Sequence, residues 1–215
     1  MPVNYTKILY CIFILCTLQI SKIHGQDFQP VKNFELIEAE INKNAEKITT
    51  IKSHFVQEKH LSFLTGPIVS EGLFRYKKDN QLRWEYTKPF EYLILFNGNK
   101  IVIKDQRKTN EFDAGSNAIF KQINELMLGS VKGNLGKNKD FSLSLKENTK
   151  QYKLLLNPQN KVLLTYISGI EIYFDKSDLG VSTIRIIEPT GDFTKIAFSD
   201  RRFNETIDES TFKSN

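Results

Sequence analysis

Cysteine and histidine are scarce in this 215-residue chain, which has two cysteines and three histidines. Cys11 and Cys16 both lie in the first apolar run, so the rest of the chain can build neither a disulfide framework nor a thiolate zinc site. His54 and His60 share one predicted strand face but stand roughly 20 Å apart at ~3.3 Å per residue, too far to bind one metal ion. The sequence therefore predicts no metal site and no cofactor.

The motifs of several common enzymes are missing too. The chain has neither the Gly-x-Ser-x-Gly turn of many hydrolases nor a glycine-rich phosphate loop. Its 25 acidic residues are scattered, and no two are singled out as a pair for glycoside chemistry. The net charge of +5 is too weak to indicate nucleic acid as a partner, and the lysine-rich segment 132–139 is predicted to be a solvated loop. We predict that the protein is not an enzyme and binds no nucleic acid.

No apolar run in the sequence is long enough for a membrane-spanning helix. The run from Ile8 to Ile20 falls short of the roughly 20 residues that a span requires. Because Lys7 precedes it and a small residue, Gly25, follows it, the segment predicts a secretory signal peptide over residues 1–25, cleaved after Gly25. The remaining residues, 26–215, are predicted to form a single domain.

The period of the apolar residues changes along the exported part of the chain. Residues 31–48 have helical spacing, with Pro30 at the predicted helix start. From Thr49 to Asp105 the period is two, which predicts an antiparallel meander with one apolar face, and Asn97-Gly98-Asn99 predicts a hairpin turn within it. Twelve residues share that predicted apolar face: Ile51, Phe55, Phe74, Tyr76, Leu82, Trp84, Tyr86, Tyr92, Ile94, Phe96, Ile101 and Ile103.

Helical spacing returns between Ser116 and Gly129. Strand patterns then resume from Phe141 to Phe203, with an ambiguous segment at 161–168 and one predicted helical turn at 208–212. The pattern predicts a mainly β (α+β) fold, in which a curved sheet or unclosed antiparallel β-barrel is covered by a helical lid. The apolar residues of the predicted lid are Ile119, Phe120, Ile123, Leu126 and Met127.

Several short segments, in this order and spacing, are similar to one known family. They are Phe55-Val-Gln57, Gly72-x-Phe74, Arg83-Trp84-Glu85-Tyr86-x-x-Pro89, Asn97-Gly98-x-x-Ile101, Ile196-x-Phe198 and Asn204-x-x-Ile207-Asp208-x-x-x-Phe212. With a signal peptide in front, this set resembles the LolA family of periplasmic outer-membrane lipoprotein carriers. The similarity spans roughly residues 31–212.

The resemblance implies a carrier that shields the acyl chains of lipoproteins in an apolar cavity during their transfer from the inner to the outer membrane. The implied partners are acylated lipoproteins, an inner-membrane ABC transporter of the LolCDE type and an outer-membrane receptor of the LolB type. We expect a periplasmic monomer. Its twelve apolar meander residues would contact the acyl chains, and the lid segment would fill the cavity when no cargo is bound.

Two positions depart from the family pattern. Lys78 stands where well-known members have an arginine that latches the lid, and lysine lacks the planar fork of donors that arginine offers. The chain stops at Asn215, three residues after Phe212, where those members continue into a further strand associated with one-way transfer. The latch and the direction of transfer therefore stay open at this point.

Other functions remain compatible with the same patterns. A LolA-like shuttle or sensor for a different lipid would share the fold and the apolar face. A secreted enzyme acting on a lipid or glycan would need carboxylates that the sequence does not single out. An outer-membrane β-barrel also alternates with period two, but the two predicted helices and the polar end of the chain argue against it.

Overall fold

The computed structural model describes residues 27–78, 80–105, 108–113 and 140–213. Strands dominate these ranges, and helices are few. In chain order the elements are β1 (Gln29–Pro30), α1 (Phe34–Glu46), β2 (Thr50–His60), β3 (Ile68–Lys77), β4 (Gln81–Lys88), β5 (Tyr92–Asn97), β6 (Lys100–Asp105), β7 (Thr109–Asp113), β8 (Phe141–Glu147), β9 (Gln151–Pro158), α2 (Lys161–Leu164), β10 (Gly169–Asp175), β11 (Val181–Ile187), β12 (Phe193–Phe203) and a 3₁₀ turn (Glu209–Phe212).

All twelve strands form one antiparallel sheet in the order β1-β8-β9-β10-β11-β12-β2-β3-β4-β5-β6-β7. The sheet has an edge at β1 and another at β7, so it is not closed. The prediction of a mainly β, unclosed antiparallel fold is confirmed. The predicted lid, residues 119–127, lies outside the described residues.

Helix α1 begins later than the sequence predicts. Pro30 belongs to β1 and pairs with Lys146, at a sheet edge where a missing N–H does no harm. The helix starts at Phe34, because the side chain of Asn33 accepts a hydrogen bond from the Leu36 N–H at 3.0 Å and so caps the first turn. The predicted helix start at Pro30 is therefore wrong.

Strand β7 is absent from the sequence prediction. Thr109–Asp113 contains one apolar residue, Phe112, and every side chain in it is exposed. Its backbone pairs with β6 over five residue pairs, so pairing rather than burial defines the strand. A method that reads only apolar alternation has no signal at such a position.

Two large apolar cores and a third, small cluster of Leu93, Leu95 and Val102 lie along the described part of the sheet. The helix-covered core packs α1 against β8 to β10 and is mostly aliphatic, whereas half of the residues in the meander core are aromatic. The helix-covered core consists of Ile41, Phe141, Leu145, Leu154, Leu156, Leu163, Ile170, Ile172 and Phe174. The meander core consists of Ile48, Ile51, Phe55, Phe74, Tyr76, Leu82, Trp84, Phe96, Ile101 and Ile196.

The end of the chain crosses the outer face of the meander. Glu205 pairs with Lys52 at 3.0 Å, and the carbonyl oxygen of Thr211 accepts a hydrogen bond from Arg83 at 3.1 Å. Phe212 is buried at the end of this segment, in the 3₁₀ turn that contacts β4 and β5. The predicted helical turn at 208–212 is confirmed as this turn.

No helix among residues 27–78, 80–105, 108–113 and 140–213 is long and apolar enough to cross a bilayer.

Candidate lipid-binding site

The structure places all twelve predicted cavity residues on one face of the meander. Strand register shows this directly, because Phe74 pairs with Trp84, and Trp84 in turn pairs with Ile94. Eight of the twelve belong to the buried meander core, and Tyr86, Ile94 and Ile103 pack against it. The twelfth residue, Tyr92, is half-buried, with its ring 5.9 Å from that of Tyr86.

Aromatic rings cover much of this face. Trp84 lies 5.0 Å from the Phe55 ring, 5.3 Å from Phe74 and 6.0 Å from Phe198, measured between centroids. The rings meet edge-on or tilted, as the quadrupoles of aromatic groups prefer. These contacts make the middle of the meander face a packed layer of rings.

Gly72 lets the Phe55 ring pack closely against the backbone of β3. A Cβ atom at this position would stand 2.0 Å from the Glu85 carbonyl oxygen and 2.7 Å from the Phe55 ring. The register of β3 and β4 shifts between Glu71 and Gly72, so the backbones approach closely at this bulge. Only glycine fits between the Phe55 ring and the neighbouring strand.

An open apolar pocket lies where the two cores meet, and we call it the seam pocket. It is bounded by the C-terminal end of α1, the start of β2 and the strands β11 and β12, and it is open to solvent. Only Ile51 and Phe74 belong to both the seam pocket and the predicted set. Its lining residues are Ala45, Ile48, Ile51, Ser53, Phe74, Leu179, Gly180, Val181, Ile184, Phe198, Arg201 and Phe203.

A bulge in β12 explains why counting along that strand misses Phe203. Phe198 and Phe203 are five apart, so in a regular strand they would face opposite sides of the sheet. The register of β12 shifts between Ser199 and Arg202, which turns Phe203 to the same side as Phe198. The polar run between the two phenylalanines is the sequence feature that marks this bulge.

The polar side chains of the seam pocket, Ser53 and Arg201, have hydrogen-bond or ion-pair partners within the protein. The Arg201 guanidinium pairs with Asp175 and, at 3.1 Å, with Asp178, and it donates a hydrogen bond to the Gly180 carbonyl at 2.8 Å. The Ser53 hydroxyl donates to the His54 carbonyl at 2.7 Å. The pocket therefore offers a ligand mainly apolar contacts, which suits a hydrocarbon chain.

Charged groups gather instead on the outer face of the sheet. Arg83 donates to both carboxylate oxygens of Glu85, at 2.9 and 3.1 Å, and this hydrogen bonding lowers the pKa of Glu85. The carboxylate of Glu58 lies 3.1 Å from Nε2 of His60, and this hydrogen bond is the main reason that the pKa of Glu58 is lowered. Among the described residues, no three His, Cys, Asp or Glu side chains gather in a way that could hold a metal ion.

Lys78, at the position of the family's latch arginine, contacts helix α1. Its Nζ lies 3.4 Å from the Glu46 carbonyl oxygen, and its backbone N–H donates to the Thr49 carbonyl at 2.8 Å. A cation suits this place, because the carbonyl end of a helix carries partial negative charge. The predicted lid that this position would latch lies outside the described residues.

The described residues thus form an open antiparallel sheet with an apolar inner face and a mainly apolar pocket. Residues 46–215 match the model of the family described as outer membrane lipoprotein carrier protein LolA. This chain belongs to the LolA family, as the sequence motifs predict. Members of this family are generally binding or carrier proteins rather than enzymes. A search of curated proteins finds no match.

Several solved structures are similar to this chain at low sequence identity. An uncharacterized conserved protein from Thermus thermophilus is 11% identical, with a TM-score of 0.55 over 82% of this chain and 93% of that chain. A DUF1329 family protein from Desulfovibrio piger is 12% identical, with a TM-score of 0.48 over 86% and 98% of the two chains. A LolA superfamily protein from Nitrosomonas europaea is 10% identical, with a TM-score of 0.43 over 82% and 97%.

Proposed function

We propose that this protein is a periplasmic carrier that shields the acyl chains of lipoproteins on their way from the inner to the outer membrane. The observation that carries the proposal is the seam pocket, whose lining is mainly apolar and whose two polar side chains, Ser53 and Arg201, have partners within the protein. Membership of the LolA family supports lipoproteins as the cargo.

Acyl chains would enter the seam pocket and continue over the aromatic face of the meander. Burying one CH₂ group is worth about 0.8 kcal/mol, so a partly inserted chain already binds appreciably. Phe74 belongs to both the pocket and the packed aromatic layer, so it connects the two surfaces. We propose that the remaining predicted cavity residues contact the acyl chain after these rings shift. The lid segment 119–127 would compete with the acyl chain for the same apolar face.

The proposed cellular setting follows the family. The signal peptide over residues 1–25 would direct the chain to the periplasm. An inner-membrane ABC transporter of the LolCDE type would load the carrier, and a LolB-type receptor would unload it at the outer membrane. No cofactor takes part, and the carrier would act as a monomer.

A displacement assay tests the ligand class. Both cores lie within residues 27–213, so the protein is prepared as residues 26–215, without detergent. A fluorescent apolar probe is bound first, and a triacylated lipopeptide, a phospholipid or a free fatty acid is then titrated against it. The proposal predicts displacement by the lipopeptide at the lowest concentration. Displacement by another lipid alone would make the protein a LolA-like shuttle or sensor for that lipid, and a failure to bind the probe would contradict the proposal.

A matched pair of variants tests the location of the ligand. Ile184 lines the seam pocket, whereas its neighbour Thr183 pairs with Tyr173 and Ala197 on the outer face. Ile184→Trp should fill the pocket and weaken lipopeptide binding by about tenfold or more, which corresponds to roughly 1.4 kcal/mol. Thr183→Trp should leave binding close to that of the unmodified protein. Equal effects of the two variants would place the ligand elsewhere.

A further inference from the structure

Exposed apolar side chains concentrate at one end of the sheet. Within the described ranges, eight of the eleven exposed large apolar residues lie where β2 passes into β3, β4 into β5 and β9 into β10. The other three, Leu36, Val56 and Phe112, lie elsewhere. The eight are Phe63, Leu64, Ile68, Val69, Phe90, Val162, Leu164 and Tyr166.

The hairpin of β2 and β3 projects beyond its neighbour on one side. Ile68 and Val69 of β3 pair with β2, but pairing between β3 and β4 begins only at Glu71. The end of this hairpin, residues 61–70, reads Leu-Ser-Phe-Leu-Thr-Gly-Pro-Ile-Val-Ser and contains no charged side chain. We call these ten residues the β2–β3 tip.

The β2–β3 tip is braced in its projecting position. The backbone N–H of Ser62 donates to the Asp192 carboxylate at 2.7 Å, and that of Leu64 donates to the Leu61 carbonyl at 3.0 Å. Phe63 stands between these two anchored positions and is 76% exposed. The tip therefore holds an aromatic ring out in solvent by specific hydrogen bonds.

The tip exposes apolar groups on both of its faces. Ile68 and Val69 are consecutive strand residues, so they point to opposite sides of the hairpin, yet they are 48% and 45% exposed. A protein groove covers one face of a hairpin, whereas the lipids of a bilayer surround an inserted tip on every side. Phe90, 72% exposed on the adjacent loop, adds a second aromatic contact at the same end.

Charge at this end is balanced rather than basic. Lys59 lies 3.6 Å from Glu188, and Lys88 lies 2.9 Å from Glu71. Attachment to a surface through this end would therefore depend on apolar insertion, not on attraction to anionic lipids. We propose that the β2–β3 tip inserts reversibly into the interface of a lipid bilayer and docks the protein there.

This inference goes beyond the proposed carrier function and can fail independently of it. The seam pocket is formed near the start of β2 and the end of β12, which is the opposite end of these strands from the tip. Tip variants should therefore leave lipopeptide binding unchanged. The two activities are measured on the same preparations, so a loss of one with retention of the other is informative.

Vesicle co-sedimentation tests the proposal with residues 26–215. The vesicles contain phosphatidylcholine alone or with added phosphatidylglycerol. We expect the unmodified protein to bind both to a similar extent, with little dependence on salt. Phe63→Ser should weaken binding by about tenfold or more, because burial of a phenylalanine side chain contributes at least that factor. Ile68 also belongs to the β2–β3 tip but lies in strand β3 rather than in the loop. Ile68→Ser should therefore weaken vesicle binding less than Phe63→Ser does.

The matched control is Leu36→Ser, which removes a 55% exposed apolar side chain on α1. It should bind vesicles as the unmodified protein does. Equal binding by all variants, no binding by the unmodified protein, or binding that requires phosphatidylglycerol and disappears in salt would each overturn the proposal. Attachment to cell membranes but not to pure lipid vesicles would show a protein partner instead, and would overturn it as well.

Discussion

The two cores of this protein bury apolar surface in different ways. In the helix-covered core, α1 places Ile41 on strands whose inward residues are mostly leucine and isoleucine. In the meander core, half of the buried residues are aromatic, and the rings of Phe55, Phe74 and Trp84 pack on one another. The helix-covered core is an ordinary close-packed, mostly aliphatic core, whereas the meander core is a buried layer in which aromatic rings pack on one another.

The contrast indicates that the two cores of this sheet have different roles. Aliphatic side chains under a helix interdigitate and leave little space, which gives rigidity. Rings that meet edge-on can exchange one apolar neighbour for another, since a hydrocarbon chain offers a similar contact. The seam pocket lies where the helix ends and the rings begin, between Ala45 and Phe198. We infer that the first core supports the fold and the second receives the ligand.

The largest expected effect tests the supporting core. Phe174 is almost fully buried there, and Phe174→Ala should lower the free energy of unfolding by about 3–5 kcal/mol. Urea titration followed by circular dichroism measures this change. The folded fraction should still bind the apolar probe with unchanged affinity. A loss of probe affinity in folded protein would remove the distinction between the two cores.

A smaller effect is expected at the bulge in the meander. Gly72→Ala forces a Cβ against the Glu85 carbonyl and the Phe55 ring, and should lower the free energy of unfolding by about 1–3 kcal/mol. Gly66→Ala is the matched control, because a Cβ there meets nothing within 4 Å. The same urea titrations compare the two. Equal stabilities would contradict the tight packing of the ring layer on the sheet.

The outer face should contribute less and in a pH-dependent way. Glu85→Gln removes the negative charge and one of the two oxygens that accept from Arg83, so at neutral pH the free energy of unfolding should fall by about 1–2 kcal/mol. Because the pKa of Glu85 is lowered in the folded protein, its contribution is present above the ordinary glutamate pKa and is lost as the pH falls through the lowered value. The difference between the two proteins should therefore shrink in acid. A difference that grows in acid would reverse the assigned sign.

The smallest expected effect concerns the start of α1. Asn33→Ala removes the oxygen that caps Leu36, and should lower the free energy of unfolding by about 1 kcal/mol. Asn33→Ser keeps a capping oxygen and should restore most of the loss. Thermal unfolding of the three proteins measures the order of their stabilities. An unchanged alanine variant would show that the helix-covered core does not depend on this cap.

Much of the meander is predictable from sequence because one face of it is buried. Alternating residues locate β2 to β6, and Asn97-Gly98 marks a turn in which Gly98 has a φ of 61°. The same rule fails for β7, which buries no side chain. It also fails after Ser199, where a bulge turns Phe203 toward the seam pocket.

The candidate site is harder to predict than the face that contains it. The alternation of apolar residues along the strands predicts that Ile51 and Phe74 lie on the inner side of the sheet. It does not predict the seam pocket beside them. That space depends on the end of α1 and the residues just after it, which place Ala45 and Ile48 at the pocket. It also depends on the turn at Gly180, where an added Cβ would lie 2.7 Å from the Phe203 ring. These are relations between distant segments, which a local period does not encode.

Quenching of Trp84 fluorescence tests most directly whether acyl chains bind at the ring-lined face, because Trp84 is the only tryptophan in the chain. Its ring lies 6.0 Å from that of Phe198, which lines the seam pocket. A triacylated lipopeptide with bromine atoms on its acyl chains is titrated into the protein, with the unbrominated lipopeptide as control. If the acyl chains bind at the ring-lined face, the brominated lipopeptide alone should quench Trp84 fluorescence strongly. The quenching should reach saturation at the same lipopeptide concentration as the displacement of the apolar probe. Saturating displacement of the probe without quenching would place the acyl chains away from the ring-lined face and contradict the account.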